Sequence, residues 1–571
     1  MDIKLGIAQL NPTVGALEQN AEKAVGAIEQ AKRDGVDILV FPEMFITGYP
    51  PNDLLLREEF ITGVQSIMFN RVLAATKGIC VVIGDVRKLW SKLRNCAVVM
   101  QDEHEVGTVI KTLLPNYDVF DEKRYFEGLD PRDISPVRVK VRGQKIMLGV
   151  EVCEDLWDKG YDVKVTELLC KRGTDIIINI SSSPFYTDKF PVRVALVKKY
   201  VDKFRVPFVY ANTVGGQDDL VFDGGSFIFD SDGACAAALP QFKESIEYAV
   251  LNTDTWKKTN KEKVEPEKLC VEEQILRAHV LNVRDYYEKQ GCFDGIVVGS
   301  SGGIDSAYTL YVASKAVGKD KVLSVAMPSK FTSKDSLDLA EQLAKSLEVN
   351  HVVLPIKNMY SAAVKTYEKA FGKTEFSVAE ENDQARCRMM LLMKLSAKNK
   401  YLVCSTGNKS ELSVGYFTLY GDSAGGKNIP GDLYKTQLYD VCRYINESSG
   451  DVIPDSIISR APTAELKSNQ KDTDSLPPYE VLDKILELVE SDDMEGIRSL
   501  SQTVDVDVID KVLAMYKRAE FKRDQLCRGI KVSKKAFGIG RRIPITSGWE
   551  YKCPTYSMLR RKIAERRAIE C

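Results

Sequence analysis

The chain has 571 residues, enough for at least two domains, and its composition of 44% hydrophobic and 28% charged residues is that of an ordinary globular protein. Its 79 basic and 81 acidic side chains leave a formal charge of −2, which gives no electrostatic case for a nucleic-acid or anionic-membrane partner. No apolar run approaches the ~20 residues of a membrane span, and MDIKLGIAQL enters a strand pattern directly rather than reading as a signal peptide. The thirteen cysteines are scattered without a C-x-x-C pair, so neither a disulfide framework nor a zinc site is expected, and a reducing, cytoplasmic setting is. Basic clusters such as Arg541–Arg542 and Arg560–Lys562 read as solvated surface.

In chain order, residues 1–251 repeat one grammar. The β-rich runs DILVF, CVVIGDV, KIMLGVEV, DIIINIS, PFVYANTV and SFIFDSDG alternate with helical stretches such as Asn20–Arg33, whose apolar residues recur three and four apart. A mixed α/β layer architecture follows. Three reactive side chains stand at strand ends: Glu43 after DILVFP, Lys111 after VGTVI and Cys153 after KIMLGVEV. A thiol is mostly protonated near neutrality, so a nucleophilic cysteine needs a base or a cation beside it. Glu43 can take the proton, and Lys111 can stabilise the negative charge of a tetrahedral intermediate on an amide carbon. Only three histidines occur, His104, His279 and His351, and the thiol is expected to work without one.

Residues 252–270 are rich in lysine and glutamate and read as a linker. From residue 271 a second α/β grammar begins: helix Glu272–Gln290, strand GIVVG, a glycine loop, helix Ser306–Val317, strand VLSVAMP, a helix from Lys334 with Ser333 or Ser336 as cap, strand HVVLPI, a helix near Gln384–Lys398 and strand YLVCSTG. This alternation predicts a parallel sheet with its site at the carboxyl ends of the strands. The glycine loop SSGGIDS allows close approach of an anion ahead of a helix N-terminus. Ser301 and Ser306 can donate to phosphate oxygens, while Asp305 can face phosphate only across a cation, so Mg2+ is implied. Glu411, in STGNKSELSVGYFTLYGD, makes a sensible second carboxylate for that ion. The loop lacks the GK[ST] of a P-loop, which argues against simple γ-phosphoryl transfer. The stretch Pro454–Pro478 reads as a long functional loop.

Both halves resemble known families. The stretches FPEMFITGYPPNDLL, KTLLPNYDVFDEKRYF and VCEDLW resemble the nitrilase-like amidase superfamily, an α-β-β-α sandwich with a Glu-Lys-Cys triad, and the last two look like the glutamine amidase domain of the glutamine-dependent NAD synthetases. The resemblance implies Glu43 as base, Lys111 as charge stabiliser and Cys153 as nucleophile. It implies Glu122 as a supporting carboxylate and Tyr117, Ser181 and Ser183 as glutamine contacts. Residues 271–571 resemble the NAD synthetase domain, a Rossmann-like, parallel-sheet ATP pyrophosphatase fold, through SGGIDS, MPSKFTS, QARCRM, GNKSELSVGY, KTQL, DSLPPYEVLD and KKAFGIGRRIPIT.

By that resemblance Gly299, Ser300, Ser301, Gly302, Gly303, Ile304, Asp305, Ser306 and Thr406 hold ATP, Asp305 and Glu411 hold Mg2+, and Arg386, Glu411 and Lys435 face the dinucleotide substrate. The implied reaction is ATP-dependent amidation of deamido-NAD through an adenylate. Ammonia would come from glutamine through an enclosed route, and AMP and pyrophosphate would leave, in a homo-oligomer without nucleic-acid or membrane partners. Rival readings are an amidotransferase acting on a purine nucleotide and a non-catalytic scaffold. Two positions depart from the family pattern: Asp383 precedes QAR where an apolar residue is usual, and Leu526-Cys527-Arg528 replaces a proline pair.

Overall fold

The computed structural model describes residues 1–467 and 470–553; the Arg560–Lys562 cluster lies outside them. The chain divides into two compact units, Met1–Lys289 and Gln290–Cys571.

Among the described residues the first unit contains β1 (Asp2–Gln9), α1 (Leu17–Arg33), β2 (Ile38–Val40), α2 (Glu58–Ile67), β3 (Cys80–Leu89), β4 (Lys92–Gln101), β5 (His104–Ile110), β6 (Val137–Val141), β7 (Gln144–Val152), α3 (Val165–Lys171), β8 (Ile176–Ser181), α4 (Lys189–Phe204) and β9 (Phe208–Asn212). The hairpin β10 (Val214–Gln217) and β11 (Leu220–Asp223) follows, then β12 (Phe227–Phe229), β13 (Cys235–Ala238), β14 (Ser245–Asn252), β15 (Lys257–Lys258) and α5 (Val271–Gln290). One sheet runs β15-β14-β1-β2-β3-β4-β5 and the other β13-β12-β9-β8-β7-β6.

The period of two in each strand sorts side chains between layers. Ile3, Leu5 and Ile7 of β1 meet Ile176, Ile178 and Ile180 of β8 in a core between the sheets. Ile177 turns outward to Leu169 and Val197 under α3 and α4, and Ala24, Ile28 and Val64 of α1 and α2 cover the other sheet. The result is the α-β-β-α sandwich that the sequence implied.

The lysine- and glutamate-rich segment is tied down. Lys257–Lys258 pairs with β14, and Glu267 accepts from Gln241 N at 3.1 Å and pairs with Arg277 at the same distance. Helix α5 also rests on this unit. The carboxylate of Asp285 accepts from Asn11 Nδ2 and Gly216 N, each at 2.7 Å, and Asn282 Nδ2 donates to Leu220 O at 2.8 Å.

The second unit contains β16 (Gly295–Gly299), α6 (Ile304–Val317), β17 (Val322–Ala326), α7 (Lys334–Ser346), β18 (Asn350–Val353), α8 (Lys357–Phe371), α9 (Val378–Asn399), β19 (Tyr401–Ser405), α10 (Lys409–Val414), β20 (Lys427–Asn428), α11 (Lys435–Ser449), α12 (Asp455–Ser459) and α13 (Tyr479–Glu490), with further helices as far as Arg523. The sheet order is β18-β17-β16-β19-β20, all parallel. The winding direction reverses between β16 and β19, so the loops after these two strands open onto the crevice where such sheets bind ligands.

Ser333 caps α7 by accepting from Ser336 N. Helix α9 begins six residues before the expected Gln384, at Val378, because Ser377 and Glu380 form a capping box. The late loop joins the sheet edge: Asn428 N donates to Arg528 O at 3.1 Å, and Asn428 bridges Gly529 in parallel. No helix among the described residues is long and apolar enough to cross a membrane, and the cysteines there are free thiols.

Candidate active sites

The first unit brings Glu43, Lys111 and Cys153 to one buried place. Glu43 follows β2, Lys111 follows β5, and Cys153 follows β7 at a turn where its φ is 43°. That left-handed backbone is costly for a residue with a Cβ and holds the thiol at a sharp corner. Asp155 fixes the corner by accepting from Val152 N at 3.1 Å and reaches across to Thr112 N at 3.0 Å and Leu113 N at 2.8 Å, just beyond Lys111. Gly84 of β3 makes room for Glu43: a Cβ there would lie 2.5 Å from Glu43 Cα and 2.2 Å from Met44 N.

Lys111 Nζ bonds Glu43 Oε1 and Glu122 Oε1, each at 2.8 Å, with all three side chains buried. Asn95 Nδ2 and Ser182 N donate to Glu43 at 2.7 and 2.8 Å, and Tyr49 OH donates to Glu122 at 3.0 Å. Burial acts downward on Lys111, but Glu122 and Glu43 outweigh it and hold the ammonium. Burial, opposed by Lys111 and helped by Glu43, raises Glu122. Burial and the Glu43 charge push the Cys153 thiol well up, with Lys111 opposing them. The resting thiol is therefore protonated, and an attack by sulfur must be coupled to proton removal.

Tyr117, half exposed, donates to the Glu154 carboxylate at 3.0 Å, and Tyr161 does so at 3.1 Å. Burial raises Glu154 to about 7. Ser181 Oγ donates to Asn179 Oδ1 at 2.7 Å, and Ser183 N donates to Asn212 Oδ1 at 2.9 Å; both serines are buried in the backbone frame beneath the site. His104 lies at the exposed start of β5 against Asp102 O, and His351 pairs with Ser324 in the second unit.

The second unit holds a cavity of about 550 Å³, of nucleotide size. Gly299, Ser300, Ser301, Gly302, Gly303, Ile304 and Asp305 line one side, and Thr406 and Glu411 another. Gly302 has φ +76°, and a Cβ there would lie 2.3 Å from Ser336 O, so the loop is built close against α7. Ser306 stands behind the loop, its Oγ donating to Gly303 O at 2.9 Å. Lys435 Nζ lies 2.5 Å from Asp305 Oδ2 and 3.3 Å from Glu411 Oε1, and Asn408 Nδ2 donates to Asp305 Oδ1 at 2.8 Å. Burial, opposed by Lys435 and helped by Asp305, raises Glu411 to about 8.

Two carboxyl groups beside one ammonium make this part of the cavity wall a set of hard oxygen donors. That donor set fits Mg2+, a hard cation that takes oxygen ligands. Among the described residues no cluster of three or more acidic, His or Cys side chains could cage a metal.

Arg386 does not line this cavity. It is 48% exposed, 3.3 Å from Leu419 O through Nε and 3.9 Å from Asp383. On α9 the lining positions Glu381, Ala385, Arg388 and Leu392 follow the helical repeat, and Arg388 supplies the guanidinium that faces inward. Segment 460–467 forms another wall, held by Glu465, which accepts from Ser333 Oγ at 2.8 Å and Ser336 Oγ at 2.9 Å and pairs with Arg460 at 2.7 Å. Lys409, in the GNKSELSVGY stretch, is buried between Asp432 and Glu490 at 2.9 and 2.8 Å. Sequence reasoning missed Asn95, Tyr49, Ser182, Asn408 and Arg388. The acid pair in CEDLW was the available signal for Glu154 and Asp155.

Comparison with known proteins covers both units. A family model for carbon-nitrogen hydrolase covers residues 4–261, and one for NAD synthase covers residues 275–526. The glutamine-dependent NAD(+) synthetase of Synechocystis sp. is 37% identical over 559 residues, spanning 95% of this chain and 99% of its own. That of Acinetobacter baylyi is 38% identical over 549 residues, spanning 96% and 98%. The solved glutamine-dependent NAD+ synthetase of Acinetobacter baumannii, in complex with ADP, superposes with a TM-score of 0.76 at 36% identity, covering 96% of this chain and 99% of that one. That of Cytophaga hutchinsonii shares the fold with a TM-score of 0.81 at 21% identity. An amidase unit joined to a synthase unit defines the class, a glutamine-hydrolysing carbon–nitrogen ligase. Within that class the chain belongs to the glutamine-dependent NAD(+) synthetase family.

Proposed function

We propose that the first unit hydrolyses glutamine at Cys153 and that the second uses the ammonia to amidate deamido-NAD at the expense of ATP. The observation that carries this reading is the buried Glu43–Lys111–Glu122 cluster beside a thiol held at a sharp corner. Glu43 takes the Cys153 proton as sulfur attacks the carboxamide carbon, and Lys111 offsets charge on the tetrahedral intermediate. The C–N bond breaks, the proton returns to the departing nitrogen as ammonia leaves, and water cleaves the thioester to glutamate. Glu122 holds Lys111 in place. Tyr117, Ser181 and Ser183 are proposed to shape the glutamine pocket, with the Glu154 carboxylate beside Tyr117 available to the substrate ammonium.

In the second unit the loop from Gly299 to Ser306 and Thr406 are proposed to hold the ATP phosphates. Asp305 and Glu411 are the residues that would hold Mg2+, which when bound supplies charge neutralisation on the phosphates. Lys435 is proposed to orient the dinucleotide, and the role expected of Arg386 falls to Arg388, which faces the cavity. The substrate carboxylate attacks the α-phosphorus, pyrophosphate leaves, and ammonia then displaces AMP from the adenylate. The absence of a P-loop lysine signature supports cleavage between the α and β phosphates. The exposed apolar residues Tyr367, Phe371, Phe376, Val378 and Met390 on and beside α8 and α9 support self-association.

The test is a product assay with glutamine, ATP and deamido-NAD. AMP and pyrophosphate should appear in step with NAD; ADP and orthophosphate would overturn the adenylate.

A further inference from the structure

The amidase cluster contains a symmetry that something must break. Lys111 Nζ contacts Glu43 and Glu122 at the same 2.8 Å. Nothing in that arrangement decides which carboxylate stays charged and so serves as base. The neutral donors do decide it. Glu43 accepts from Ser182 N at 2.8 Å and from Asn95 Nδ2 at 2.7 Å, groups that can donate but cannot give up a proton. Glu122 accepts from Tyr49 OH at 3.0 Å and lies 3.5 Å from the same Asn95 nitrogen.

Asn95 is fully buried on β4, and its backbone carbonyl also accepts from Lys111 N at 2.9 Å. One residue therefore grips the chain of the lysine and the carboxylate of the base. Its Oδ1 is buried with no hydrogen-bond partner among the described residues. Leaving such an acceptor unsatisfied is destabilising, so packing alone gives no reason for an amide at this point of an apolar strand.

We propose that Asn95 is a positioning residue of glutamine hydrolysis: its amide keeps the negative charge on Glu43 rather than Glu122, so that Glu43 receives the thiol proton. The inference rests on the reading of Glu43 as base and Cys153 as nucleophile. The charged and titratable groups facing Glu43 are Lys111 from the end of β5, Glu122 and Tyr49 from the adjoining turns, and Cys153 with Glu154 from the corner after β7. A hydrogen bond to the charged form of a carboxyl lowers its pKa. Removing Asn95 therefore takes away a donor to the charged form of Glu43.

The experiment is the pH profile of kcat/KM for glutamine hydrolysis in the full-length protein, for Asn95→Leu and the nearly isosteric Asn95→Asp, with Cys153→Ala and Glu43→Gln as controls. Asn95→Leu should move the acid limb upward by about one pH unit. The rate should fall about tenfold or more at the low-pH end and recover as the pH rises, with KM changed less than about twofold. Asn95→Asp should shift the limb the same way by more, because it adds a third carboxyl to the cluster; it also serves if the leucine variant fails to fold. An acid limb unchanged in a folded Asn95 variant overturns the proposal, whatever happens to the rate. If Cys153→Ala still hydrolyses glutamine, or Glu43→Gln keeps the wild-type limb, the underlying triad falls and the proposal with it. Inactive controls beside an unmoved Asn95 limb would overturn the role of Asn95 alone.

Discussion

The two units use the same inventory for opposite ends. Each gathers two carboxylates around one buried lysine: Glu43 and Glu122 around Lys111, and Asp305 and Glu411 around Lys435. In the first the carboxylates are closed off by Asn95, Ser182 and Tyr49, with side-chain exposures of 0% and 5%. In the second they keep 20% and 17% exposure on a cavity wall. A sealed cluster can trade only a proton, whereas an open one can exchange its lysine contacts for a cation and phosphates. What sets the chemistry is whether the carboxylates are sealed from the cavity or open to it.

The largest effects should separate the two clusters by nitrogen source. Cys153→Ala should remove glutamine-driven synthesis by about 10⁴-fold or more while leaving ammonia-driven synthesis intact, read from NAD formation with each donor. Asp305→Asn and Glu411→Gln should instead lower synthesis from both donors by about 10²–10³-fold and spare glutamine hydrolysis. Equal losses with both nitrogen sources after Cys153→Ala would erase the distinction between the clusters.

Next in size is stability. Lys111→Met leaves two sealed carboxylates without their cation and should cost about 3–5 kcal/mol. Lys435→Met leaves carboxylates that water can reach and should cost about 1–2 kcal/mol. Denaturant melts of each variant give the ranking, and the reverse order would show the sealing argument to be wrong.

The smallest effect is a pH slope. Glu151, buried on β7 against Thr166 and Asn179, is raised by burial to about 8. The folded chain keeps this proton where the unfolded chain has released it, so stability falls as pH rises from the ordinary carboxylate range toward 8. Glu151→Gln should flatten that fall, measured as Tm at pH 5, 6, 7 and 8; an unchanged slope would mean the carboxyl is already relieved by its two donors.

Much of the fold and of both sites was legible because it is local. Glu43, Lys111 and Cys153 each terminate a recognisable strand, and SSGGIDS announces a strand–loop–helix by its own composition. What failed to show was spatial. Asn95 and Tyr49 come from a strand interior and a turn with no chemical signature, and only the pairing of β4 with β5 brings Asn95 to Lys111. That Arg388 rather than the expected Arg386 lines the cavity follows from the rotational phase of α9, which the sequence reading did not establish. The order β18-β17-β16-β19-β20 is likewise invisible in an alternation of strands and helices.

The closeness of Gly84 to the base has an evolutionary consequence. A single methyl group on β3 would collide with the backbone at Glu43 and Met44, 2.5 and 2.2 Å away, and must push the carboxylate off its donors. Glycine to alanine ranks among the mildest of exchanges, and this one lies 41 residues from Glu43 and 69 from Cys153 in the chain. It would nonetheless silence glutamine use while leaving the machinery of the second unit untouched. One such codon change is a short path from a lineage that draws nitrogen from an amino acid to one that depends on dissolved ammonia.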